Sequence, residues 1–132
     1  MDETYISVRF KHGVHTIYLF VDTLQPCSDI SSELLRLLRD RYPDGLTTSI
    51  DPPKITPIPD ETSITYAVLN VANDPTRGWK KLKTGEQGEI LPQKAGMKEN
   101  SIVAFAFVDS LDDEPDFEVE WPREDEEVYE EP

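Results

Sequence analysis

The chain is predicted to be an α+β domain, a mixed sheet of four or five strands around one main helix, followed by an acidic tail. Three observations predict it. Two early segments alternate apolar and polar residues at the period of a strand. The stretch after them repeats its apolar residues at the period of a helix. The last apolar run, Ser101-Ile-Val-Ala-Phe-Ala-Phe-Val108, is apolar on both faces, as a strand in the middle of a sheet is.

In Tyr5–Lys11, Ile6, Val8 and Phe10 alternate with Ser7, Arg9 and Lys11. His12-Gly13 supplies turn chemistry. In His15–Asp22, Ile17, Leu19 and Val21 alternate with Thr16, Tyr18 and Phe20, so the two runs form a hairpin. A helix follows, with Ser28 or Asp29 as the expected N-cap and Glu33 near the first turn. Ile30, Leu34, Leu37 and Leu38 make one apolar stripe, and Arg36, Arg39 and Arg41 suit the negative end of the helix dipole. Pro43 and Gly45 end the helix near Tyr42. Residues 46–63 hold Pro52, Pro53, Pro57 and Pro59 and are expected as a Pro-rich loop. Ile64–Val71 reads as a third strand, broken by Asn73-Asp74-Pro75, and Gly78–Lys83 as a short fourth. Gly85 and Gly88 mark a turn-rich connection before the final strand.

A central last strand is completed by pairing in parallel with the first. The opening hairpin, the helix from about Ser28 and the closing segment Ala95-Gly-Met-Lys-Glu-Asn-Ser-Ile-Val-Ala-Phe105 together resemble the ubiquitin-like (β-grasp) superfamily. Gly96–Ile102 is similar to the turn leading into ubiquitin's last strand. The resemblance covers about residues 4–108 and implies a β-grasp roll. Ubiquitin-like modifiers end in Gly-Gly, whereas this sequence ends Glu131-Pro132, so a binding domain rather than a conjugated tag is expected. The resemblance also implies a core of Ile6, Val8, Ile17, Leu19, Val21, Ile102 and Ala104 against Ile30, Leu34 and Leu38. It places Tyr18, Phe20, Val103, Phe105 and Phe107, with Tyr66 or Val68, on an open sheet face that receives partners. The alternative is that the tail or the Pro-rich loop folds back over those residues.

The division is thus 1–108 as the domain and 109–132 as the tail. The formal net charge is −14, and −12 of it lies in Asp109–Pro132, with thirteen acids and Arg123 alone against them. Such a tail repels phosphates and disfavours direct nucleic-acid binding. A basic protein, such as a chromatin-associated one, complements it. Composition predicts disorder in the free tail. Phe117, Val119, Trp121 and Tyr129, interleaved with acids, are candidate docking anchors. Three readings stand open: a solvated tail, a docking peptide, and self-docking on Lys80, Lys81 and Lys83.

No catalytic constellation is expected. Cys27, the single cysteine, is either a thiolate activated at a helix N-terminus or a buried small hydrophobe. His12 and His15 lack a third metal ligand nearby in sequence and are expected as solvent-facing turn residues. Gly85-Glu-Gln-Gly88 lacks the Lys-Ser/Thr of a phosphate loop. No cofactor, metal or enzymatic activity is therefore expected. One cysteine also favours a reducing compartment, nucleus or cytoplasm. Met1–Tyr5 does not look like a signal or transit peptide, and no apolar run is long enough for a membrane span. The expected function is a protein–protein interaction module, a monomer or an adaptor subunit of a hetero-complex. The alternative is a regulatory β-grasp domain of the charge-pairing or small-GTPase-binding type, using Arg9 and Lys11.

Overall fold

The computed structural model describes residues 4–71 and 74–121. The elements run β1 Tyr5–His12, β2 His15–Asp22, α1 Cys27–Arg41, β3 Leu46–Ile50, β4 Pro53–Thr56, β5 Ser63–Val71, β6 Asp74–Lys81, α2 Pro92–Ala95 and β7 Ser101–Val108. β1 and β2 form the hairpin, with Ile6 opposite Val21 and Phe10 opposite Ile17. β7 lies beside β1 in parallel, Phe10 opposite Val103. β5 and β6 follow antiparallel, giving the order β2-β1-β7-β5-β6. The fold is α+β, a mixed five-stranded sheet with one main helix, and its arrangement is compatible with a β-grasp.

The apolar stripe of α1 packs on one face of this sheet. Ile30, Leu34 and Leu38 are buried there with Ile6, Val8, Phe10, Ile17 and Val21. Burial of each such side chain contributes roughly 1.5–3 kcal/mol.

The two faces of β7 are the reverse of the sequence expectation. Residues directly opposite in a ladder share a face. Phe10 is opposite Val103 and Tyr66 is opposite Phe105, so Val103, Phe105 and Tyr66 point toward α1. All three are fully buried, and the Tyr66 hydroxyl bonds Ser31 Oγ at 2.8 Å. Phe107 and Val68 are half-buried against the same core. Ile102 and Ala104, expected in the core, lie on the other face. The physical reason is that β7 is apolar at both parities, so its own pattern has no preferred face. The parallel register with β1 decides it, and one residue of slip reverses every side chain.

Two further expectations are corrected. The start of the supposed Pro-rich loop folds as the two-stranded β3–β4 ribbon, Leu46 opposite Thr56, with Leu46 buried in the core. The helix begins at Cys27 behind Pro26, without a side-chain cap at Ser28 or Asp29. Its first amides are satisfied by a distant loop instead: Cys27 N donates to Ile90 O and Ser28 N to Gly88 O, both at 2.9 Å. β6 also starts earlier than the predicted strand, at Asp74.

Candidate interaction surface

The sheet face turned away from α1 is built from alternate residues of every strand. β2 contributes Thr16, Tyr18 and Phe20, and β1 contributes Ser7, Arg9 and Lys11. β7 and β5 contribute Ile102, Ala104, Ala106, Thr65 and Ala67, and β6 contributes Trp79 and Lys81. Of the predicted docking residues that are described, Tyr18 and Phe20 lie here in the open, at 70% and 61% exposure. Arg9 stands opposite Tyr18, and Ser7 opposite Phe20.

The middle of this face is closed, although α1 is on the other side. Ala104 and Ala67 are 0% exposed, and Ala106 and Thr65 are also buried. The described part of the tail lies across this region. After Val108 the chain turns, with Asp113 N donating to Ser110 O at 3.0 Å. Lys81 Nζ donates to the Leu111 and Asp113 carbonyls, both at 2.7 Å, and lies 3.7 Å from Glu114. Farther on, Gly13 N donates to Glu118 O at 2.7 Å and Glu120 N donates to Gly13 O at 2.8 Å. Lys54 Nζ bonds both Glu118 carboxylate oxygens, at 2.8 and 3.1 Å. Trp121 stacks on Trp79 with centroids 6.1 Å apart and planes at 13°. Lys11 Nζ sits 5.4 Å from the Trp121 ring centroid.

Of the three readings of the tail, residues 109–121 follow self-docking. Within the expected lysine cluster Lys81 makes the contact, and Lys80 and Lys83 are exposed. Phe117 and Val119 are half-buried; Tyr129 lies outside the described residues. Sequence reasoning missed Lys11, Gly13 and Lys54 as the receiving side of the tail. Trp79 gave the one available signal, an aromatic set among lysines on an edge strand.

No protein-family model matches this chain, and no curated protein matches it either.

Cys27 is buried, and burial pushes its thiol up to about 11. It is a thiol at neutral pH, which favours the small-hydrophobe alternative. Among the described residues no group of three or more His, Cys, Asp or Glu could hold a metal ion. No described helix is long and apolar enough to cross a membrane.

The two histidines are not solvent-facing turn residues. His15 Nε2 accepts the Thr47 N–H at 2.9 Å, and its ring packs on Tyr42 at 4.5 Å. His12 is 5% exposed beneath the tail's anchoring turn. Its Nδ1 lies 3.1 Å from Phe105 O and its Nε2 2.9 Å from Thr48 Oγ1. A carbonyl only accepts, so Nδ1 carries the proton. Nε2 then accepts from Thr48, whose oxygen accepts from Thr56. Burial holds the His12 pKa below its ordinary value of 6.5. The unfolded chain therefore takes up this proton first as pH falls. The contribution is complete above about pH 6.5 and is lost below it, until the folded form also protonates. His15 shifts the same way, again through burial, then through repulsion by His12. Urea titrations between pH 7.5 and 5.5 should show stability falling toward acid, by at most about 1.4 kcal/mol per pH unit per histidine. His12→Gln should flatten that slope; an unchanged slope would remove His12 from the account.

Proposed function

We propose that this chain is a ubiquitin-like β-grasp domain acting as a non-enzymatic interaction module, an adaptor subunit of a hetero-complex in the nucleus or cytoplasm. The strand order β2-β1-β7-β5-β6, with parallel β1 and β7 at its centre, supports the ubiquitin-like reading.

The observation that carries the function is the exposure of Tyr18 and Phe20, side by side on one face of an edge strand. Two bare aromatics in that position cost solubility unless something covers them. Buried aromatic anchors supply most of the energy in protein interfaces. Of the predicted anchors, Val103, Phe105, Phe107 and Tyr66 pack toward the core, which leaves Tyr18 and Phe20 for this role. The net charge of −14 favours a basic protein partner, attracted first by long-range electrostatics.

Arg9, directly across from Tyr18, keeps the regulatory charge-pairing alternative in play. Its guanidinium donates to Asn100 O at 2.9 Å, and Lys11 Nζ to Thr16 at 2.8 Å. One experiment separates the two. Affinity capture from lysate is run with wild type, Tyr18→Ser, Phe20→Ser and Arg9→Glu, followed by titration of the captured protein. Each aromatic substitution should weaken binding about 30-fold, an anchor worth about 2 kcal/mol, with stability changed by less than about 0.5 kcal/mol. A loss confined to Arg9→Glu would move the assignment to the charge-pairing type.

A further inference from the structure

We infer that the outer sheet face between Lys11 and Trp79 is a recognition site for an acidic, tryptophan-bearing peptide of a partner, and that residues 117–121 occupy it in cis. It is distinct from the Tyr18–Phe20 surface.

The site is built on the sheet side. Lys11 on β1 and Lys81 on β6 end one row across the sheet with Ala104 and Ala67 between them, and Trp79 stands two residues along β6 from Lys81 on the same face, opposite Leu69. The two small alanines leave this part of the face lower than the larger side chains around it. Trp121 is stacked on Trp79 and capped by the Lys11 ammonium. An indole face is the best aromatic partner for such a cation. The neighbouring contacts read an extended acidic chain. Gly13 offers its N–H and C=O to main-chain atoms of Glu118 and Glu120, which any extended peptide supplies. Lys54 takes the carboxylate of Glu118, and the Ile50 N–H lies 3.4 Å from that of Glu120. Lys11, Lys54 and Lys81 make the face cationic within a strongly acidic protein. The ligand chemistry is therefore Glu-X-Glu-Trp, extended.

The occupant is exchangeable. No residue of 109–121 belongs to the buried core cluster. Apart from the Trp121 stack on Trp79 and the Lys11 cation over the same ring, its contacts described above are hydrogen bonds and ion pairs. These are weak individually and salt-sensitive. The tail holds its place through tethering, which gives an effective concentration on the order of mM. A partner peptide meets that competition in the wild-type chain and not in a chain whose tail is released.

The test uses the full chain and a fluorescein-labelled synthetic peptide with the sequence of residues 114–122, followed by fluorescence anisotropy. Trp121→Ala and Glu118→Lys release the tail by independent routes, and neither alters the receiving face or the core. Both should bind the peptide at least ten-fold more tightly than wild type, with affinity falling as salt rises. A peptide with alanine in place of tryptophan should lose binding, as should the double variant Trp79→Ala/Trp121→Ala. Equal binding by wild type and both released variants would overturn the proposal. So would binding that survives loss of Trp79. A wild-type dimer that Trp121→Ala dissolves would assign the site to a second copy's tail, and would also overturn it. The chain's two tryptophans are the stacked pair, so in Glu118→Lys, which keeps both, their fluorescence reports directly whether the tail has been released.

Discussion

Phe105→Ser is expected to destabilise the domain severely and to remove binding only through loss of fold. Phe105 is fully buried on β7, the middle strand, opposite Tyr66. Its ring centroid lies 5.4 Å from His12 and 6.1 Å from Phe107. Truncating a buried phenylalanine costs about 3–5 kcal/mol, and a serine hydroxyl left in that cavity adds a desolvation penalty. Domains of this size are stable by about 5–15 kcal/mol in total. Urea unfolding followed by far-UV circular dichroism should show the midpoint fall by about 2 M, or no folded baseline at all. Phe20→Ser, the same chemical change on the outer face, should leave the midpoint nearly unmoved. Equal effects of the two substitutions would refute the register by which β7 faces α1.

Gly13→Ala should disturb both the fold and the tail with the addition of one methyl group. Gly13 has φ +56°, where an L side chain is strained by roughly 1–2 kcal/mol. The greater obstacle is space. A Cβ at this position would stand 2.0 Å from Thr47 O and 2.6 Å from Thr48 Cα, both main-chain atoms of β3. Rotamer changes do not relieve a backbone clash, so β3 has to move. That movement strains the Val14 N–Thr47 O bond of 3.1 Å and the His12–Thr48 bond of 2.9 Å. It also displaces the peptide unit on which Glu118 and Glu120 dock. The expected loss is about 2–4 kcal/mol, with a change in tryptophan emission as Trp121 leaves Trp79. A Gly13→Ala protein within about 0.5 kcal/mol of wild type, with unaltered emission, would show that β3 yields freely.

The candidate surface was legible only in part. Tyr18 and Phe20 alternate with Ile17, Leu19 and Val21, so their outward placement follows from period two once the hairpin is drawn. Phe105 and Tyr66 lacked that guide. β7 is apolar at every position from Ile102 to Val108, and β5 from Tyr66 to Leu69. The tail could be read as acid-plus-aromatic from composition. Its docking position could not, because the receiving residues Lys11, Gly13, Lys54 and Trp79 come from four separate segments.

The amino-acid order by itself determined the opening hairpin, the helix with its Ile30–Leu34–Leu38 stripe, the centrality of the last strand and the charge of the tail. These depend on local periodicity and composition, which a single segment carries in full. Only the tertiary structure decided which face of β7 is inside, that β3 and β4 form a ribbon, and that the Ile90 and Gly88 carbonyls cap α1. It also decided that Trp121 lies between Lys11 and Trp79. Each of these is a pairing between segments distant along the chain, and a pairing has no energy, and so no pattern, until both partners are in place.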